Sequence, residues 1–242
     1  MRALPVGLDA LLIELDGAAE TAALHAELLR MREAGQLPRV REIVPAALTV
    51  LLDGVDDPRA LARQLAGRRV PALPDSAGEV ITVPVHYDGE DLPAVAALWG
   101  VGEDEVARIH AAAQYRVAFS GFAPGFGYLT GLDQRFHVPR RAVPRTSVPA
   151  GSIALAGAYT GIYPRSSPGG WQLIGRTDAV LWDPAREPAA LFAPGHRVRF
   201  VSMEHRVEHR MEHSVEHRAE HGSEHGAEHR VEHGVAHGVE PR

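Results

Sequence analysis

Five arginines, Arg140, Arg141, Arg145, Arg165 and Arg176, fall close together in this 242-residue chain. A guanidinium offers a planar fork of N–H donors that fits a carboxylate or phosphate edge. Gly121, Gly125, Gly127, Gly169 and Gly170 flank them. Such glycines let backbone N–H groups turn toward an anion, and they equally suit tight turns. Phe122, Phe126 and Tyr128 supply flat apolar surface, and Gln172 supplies an amide that can pair with another amide. Of the two phenylalanines, Phe122 is the one expected in the core and Phe126 the one expected at a site. The candidate binding residues are Gly125, Phe126, Tyr128, Arg145, Gly169, Gly170, Gln172 and Arg176. The catalytic candidates are Arg145, Gln172, Arg176 and His110.

Other chemistries are narrowed by what the chain lacks. It has no cysteine, no lysine and no asparagine, and all 25 basic residues are arginine. Thiolate catalysis, disulfides, Schiff bases and the phosphate-loop lysine are therefore excluded. Ser166 and Ser167 have no assignable base, and "AFSGF" is not a nucleophile elbow. His110 and His137 are the body histidines nearest the glycine-rich stretches, but His110 shares a helix pattern with Val106 and Ile109 that suits a packed residue, and His86 has no such stretch close by. The body carries no metal-binding spacing such as HExxH.

The elements that must position these residues read as follows. "ALLIEL" at 10–15 predicts a strand, and 17–35 a helix started near Asp16 and stopped at Gly35. "EIVPAALTVLLDG" predicts one strand or two, broken at Pro45. "DDPRALARQLAG" predicts a helix capped by Asp56 or Asp57 with Pro58 in its first turn. Residues 1–75 thus form a small α+β sandwich, ended by the linker-like "RRVPALPDSAGEV". Beyond it, "VITVPVHYDG" predicts a strand pair or a strand and turn. Two short helices follow at 91–99 and 103–112, then short strands at 116–120, 152–156, 172–174, 179–182 and 197–201. Many short strands punctuated by Gly and Pro predict a β-barrel over 76–202. The fold class is α+β.

Residues 203–242 stand apart. Histidine recurs every fourth position from His205, His209 and His213 onward, nearly always after glutamate, and nine of the 14 histidines lie here. The repeat has no apolar stripe to bury and predicts a solvated, disordered tail with weak divalent-metal binding at most. The tail also carries most of the charge. The chain is −6, but the tail's nine Glu and five Arg account for −4, leaving a body near neutral. A neutral body predicts neither nucleic-acid nor membrane binding. The helix pair 91–112 looks like a DNA-reading helix-turn-helix, yet its second helix opens on Glu103, Asp104 and Glu105, which would repel phosphate. No apolar run reaches about 18 residues, so no membrane span is expected. "MRALPVGLDALLIELDG" lacks the features of a secretory signal, so a cytoplasmic protein is expected.

Three long motifs make the middle of the chain specific: "RVAFSGFAPGFGYLTGLD", "VPRRAVPRTSVPAGSIALAG" and "TGIYPRSSPGGWQLIGRT". In this order they resemble the allophanate hydrolase subunit 1 family, which includes the B component of bacterial ATP-dependent 5-oxoprolinase and the kinase inhibitor KipI. The resemblance spans about residues 2–201. It implies a small N-terminal domain, a cyclophilin-like β-barrel, and ATP with Mg2+ used in a complex, with nothing covalently bound. It implies partners: a C component, similar to allophanate hydrolase subunit 2, and an A component, the assembly opening 5-oxo-L-proline to L-glutamate. A KipI-like role would instead offer a groove lined by Phe126, Tyr128 and Trp171 to a histidine kinase. A carboxyltransferase-type part of a urea or amide carboxylase is the third reading, with biotin carried on another chain. One departure stands out: many relatives read "GGQTGIYP" where this chain has Tyr159 in "GAYTGIYP".

Overall fold

The structure is a computed structural model that describes residues 1–68, 70–72 and 80–203. The linker expected near residue 75 and the histidine tail, with His205, His209 and His213, lie outside the described residues.

Alternation of buried and more exposed residues marks the strands of the first sheet. β1 (Arg2–Val6), β2 (Ala10–Glu14), β3 (Glu42–Pro45) and β4 (Thr49–Asp53) pair antiparallel in the order β1-β2-β4-β3. Leu11, Ile13, Val50 and Leu52 face one side of it. Onto that face pack α1 (Ala18–Glu33), through Leu24, Leu28 and Met31, and α2 (Pro58–Leu65), through Leu61 and Leu65. Burying one apolar stripe per helix against one sheet face gives a two-layer sandwich. Asp57 caps α2 by accepting from the Ala60 N–H at 2.9 Å. Gly17, rather than Asp16, stands at the start of α1.

The second sheet has seven strands. They are β5 (Val80–Val85), β6 (Tyr115–Ser120), β7 (Gly127–Thr130), β9 (Ser152–Ala156), β10 (Tyr159–Ile162), β12 (Gln172–Arg176) and β13 (Arg197–Ser202). Their order is β12-β9-β10-β7-β6-β13-β5, antiparallel throughout except for β13–β5. The two outer strands meet where the His86 and Arg176 backbones exchange hydrogen bonds at 2.9 and 2.8 Å, which nearly closes a barrel. Pro84 is tolerated because β5 pairs along its length with β13 alone. Two short helices, α3 (Leu92–Trp99) and α4 (Glu103–Ala112), bury Leu92, Val95 and Val106 in the barrel core. A two-stranded ribbon, β8 (Arg145–Val148) with β11 (Ser167–Gly169), stands beside the barrel.

Residues 1–203 group as one compact unit containing the sandwich core and the barrel core. The strand expected at 179–182 is only an isolated bridge between Trp182 and Ala190. Among the described residues, no helix is long and apolar enough to cross a membrane.

Candidate active site

The first motif folds as β6, two turns and β7. Ala123 donates its N–H to the Gly121 carbonyl at 2.7 Å, closing a three-residue turn around Phe122, whose φ is +65°. Phe126 then donates to the Ala123 carbonyl at 3.0 Å, with Pro124 and Gly125 at the corner. Proline in second place and a positive-φ residue in third is type II turn chemistry. Gly125 has φ +83°, and a Cβ there would sit 2.8 Å from the Trp182 Cβ. The chain leaves this double turn directly into β7.

Sheet order then joins the motifs. β10 opens the third motif and pairs with β7 through Thr160 and Leu129. The result is one cleft of about 510 Å³, with Phe122, Phe126 and Tyr128 from the first motif facing Tyr163, Gly169 and Trp171 from the third. Phe126 is the hub. Its ring meets Trp171 at 5.5 Å and 87°, Tyr163 at 5.5 Å and 82°, and Phe122 at 5.3 Å and 73°. Such edge-to-face contacts are favourable and stiff. Gly169 must be glycine, because a Cβ there would run into the Tyr163 hydroxyl.

Polar groups in the cleft are few. Tyr128, Tyr159 and Tyr163 contribute hydroxyls, and burial raises all three above the usual phenol range. They therefore stay protonated at neutral pH and can donate hydrogen bonds to a carbonyl or carboxylate oxygen. Among the described residues, Arg140 is the only charged side chain lining the cleft. It is exposed and makes no ion pair or hydrogen bond with them. Its charge partly offsets the rise of both Tyr128 and Tyr163, which places it near the two hydroxyls.

The segment carrying Arg140 is pinned on both sides. The Gln172 amide donates to the Pro139 carbonyl at 3.2 Å, and the Arg141 N–H donates to the Gly170 carbonyl at 2.8 Å. Asp91, 4% exposed, takes the Arg141 guanidinium, both terminal nitrogens of Arg145 at 2.9 Å, and the Leu173 N–H at 2.7 Å. Burial works against the Asp91 charge, but hydrogen bonds from Arg145 and Leu173 and the two nearby guanidinium charges outweigh it. Its carboxyl is held below the usual range.

The candidates thus separate by position. Phe126, Tyr128 and Gly169 line the cleft. Gly125 shapes the turn before Phe126, while Gly170 and Gln172 hold the Arg140 segment from behind. Arg145 is committed to Asp91 and Glu90. Arg176 lies at the barrel seam, paired with Asp88 at 2.8 Å and outside the cleft lining. His110 is 0% exposed, with its Nδ1 2.8 Å from the Tyr87 hydroxyl and its ring against Tyr115 and Phe200. Burial pulls its pKa down to about 3, so it belongs to the core rather than to the cleft. Phe126 is at the cleft as expected, although only 2% exposed, whereas Phe122, expected in the core, is 60% exposed and lines the cleft as well. Tyr159, the departure from the common motif, stands in the cleft wall.

Asp91 and Tyr163 are not among the residues that the sequence singles out. Tyr163 sits in the third motif and could have been taken from it. Nothing local marks Asp91, whose partners are 50 or more residues away. A second cavity, of about 630 Å³, lies between α1 and β6 and borrows nothing from the second or third motif. Among the described residues, no cluster of three or more His, Asp or Glu is placed to hold a metal ion.

Comparison with known proteins decides the family. Residues 1–192 match the family described as carboxyltransferase domain, subdomain C and D. The chain belongs to that family. It is 39% identical over 214 residues to the B component of 5-oxoprolinase from Escherichia coli O157:H7, covering 84% of this chain and 96% of that protein. The crystal structure of TTHA0988 superposes with a TM-score of 0.66 at 37% identity, covering 80% of this chain and 39% of that one. The Kluyveromyces lactis urea carboxylase shares the fold, with a TM-score of 0.61 at 19% identity over 87% of this chain and 22% of that one.

Proposed function

We propose that this chain is the B component of an ATP-dependent 5-oxoprolinase, acting with C and A components to open 5-oxo-L-proline to L-glutamate. The observation that carries the reading is the 39% identity along nearly the whole of the Escherichia coli B component. The cleft supports it chemically. A five-membered lactam bearing one carboxylate needs a flat apolar wall, a cation and hydrogen-bond donors. The Phe126 cluster, Arg140 and the three phenols provide them.

A lactam resists attack because its nitrogen donates into the carbonyl. ATP, when bound in the assembly, supplies a phosphoryl group that turns the amide oxygen into a better leaving group. The cleft of this chain does not fit the nucleotide well. A triphosphate calls for several cations or a nest of backbone N–H groups, and the lining offers one arginine. We therefore assign ATP and Mg2+ to surfaces completed by the partner chains. The role left to this chain is to bind the lactam, orient its carbonyl toward the phenol donors and exclude bulk water. The lining holds no carboxylate and no imidazole, so a base must also come from elsewhere.

The test is reconstitution. The B, C and A components expressed together should release glutamate from 5-oxo-L-proline with stoichiometric ATP hydrolysis. An assembly that ignores 5-oxo-L-proline and turns over a different amide would reject the substrate assignment.

A further inference from the structure

Phe122 is the one described residue other than glycine with a positive φ, and it sits at the centre of a three-residue turn closed by the Gly121–Ala123 hydrogen bond. A side chain with a Cβ is costly in that conformation, and such turns are rare. Burial does not account for the cost, because the residue is 60% exposed. What the strained turn achieves is to present the ring at the cleft mouth, edge-on to Phe126 and Tyr163. Local strain of this kind concentrates where a ligand is held. Arg140 also lines the cleft, with no acid paired to it among the described residues and its backbone anchored on both sides. A cation with no acid partner among the described residues is suited to an anionic ligand.

We propose that Phe122 and Arg140 form the two-point grip of the cleft, Arg140 pairing with a ring carboxylate while Phe122 covers the ring face. The inference rests on the 5-oxoprolinase reading and specifies how this chain would tell 5-oxo-L-proline from uncharged lactams. Neither residue is assigned a part in bond breaking. Both act on affinity and specificity.

The experiment titrates the full chain with three probes: 5-oxo-L-proline, 2-pyrrolidinone (the lactam without the carboxylate) and cyclopentanecarboxylate (the anion without the lactam). The variants are Arg140→Gln and Phe122→Gly, each also followed by thermal melting. Arg140→Gln should weaken 5-oxo-L-proline roughly tenfold to hundredfold and bring it level with 2-pyrrolidinone. Phe122→Gly should weaken all three ring probes severalfold while Tm stays constant or rises, because glycine accepts the positive φ. A purely structural Phe122 would give the opposite pattern, a lower Tm with unchanged binding, and that result overturns the grip. So does wild-type affinity for 5-oxo-L-proline in both variants, which would leave the enzyme reading intact. If cyclopentanecarboxylate binds through both residues but the full assembly releases no glutamate, the grip stands and the substrate reading falls. No binding of any probe to the wild-type chain overturns the grip, and the enzyme reading is then decided by the reconstitution alone.

Discussion

His110 makes a quantitative prediction about acid stability. Its imidazole is sealed in the barrel, bonded to the Tyr87 hydroxyl at 2.8 Å, with the Thr160 hydroxyl 3.5 Å from Nε2. Burial lowers its pKa from 6.5 to about 3. Between those values the unfolded chain binds a proton that the folded chain refuses. Stability is therefore complete above about pH 6.5 and declines as the pH falls toward 3, by about 1.4 kcal/mol per pH unit. From pH 7 to pH 5 the loss from this one group is about 2 kcal/mol. His110→Gln removes the titration but keeps a side chain able to bond Tyr87. Urea unfolding at pH 7 and pH 5 should show the wild type losing about 2 kcal/mol more than the variant over that interval. His25, also lowered by burial and by Arg32, is common to both and cancels in the difference. Equal losses in the two proteins would refute the assignment of a neutral core histidine. The reconstituted enzyme should retain turnover with His110→Gln, whereas a catalytic histidine would not.

The other predictions concern the scaffold of the cleft and the tail. Asp91→Asn removes the charge that holds Arg141 and Arg145, and should cost roughly 2–3 kcal/mol in urea unfolding at pH 7. Because the Asp91 carboxyl is held below its ordinary 3.8, its contribution is present above that value and lost as the pH falls through the lower folded one, so the variant should lack this acid limb. Gly169→Ala forces the Tyr163 hydroxyl aside and should cost about 1–3 kcal/mol in thermal melts, with weaker 5-oxo-L-proline binding by calorimetry. Ending the chain at Ser202 removes nine of the 14 histidines. Zinc uptake by calorimetry should then disappear while the melting temperature is kept, and equal uptake by both chains would place the metal site in the body.

Much of the architecture could be read locally. The apolar spacing of Leu24, Leu28 and Met31, the Asp57–Pro58 helix start and the alternation in β2 and β4 are set by neighbours a few residues away. β10 and β11 were harder to see. "YTGI" and "SPG" are short and broken by Gly or Pro, and they are strands because the sheet and the ribbon supply their partners.

Residue types and their order along the chain set the chemistry available: arginine as the only strong cation, no thiol, no lysine, and two glycine-rich aromatic motifs able to make turns. They also carried enough motif text to indicate the family. Which arginine faces a ligand was left to the folded chain. Arg140, Arg141 and Arg145 are chemically alike along the chain, but Asp91 folds back from the start of α3 to claim two of them and leaves the third in the cleft. Folding likewise buries Phe126 while holding Phe122 out at the mouth. The charge pairs join residues 50 or more positions apart and the Tyr163 and Trp171 rings around Phe126 come from a different motif, and those distances are closed only when β7, β10 and β12 come together in one barrel.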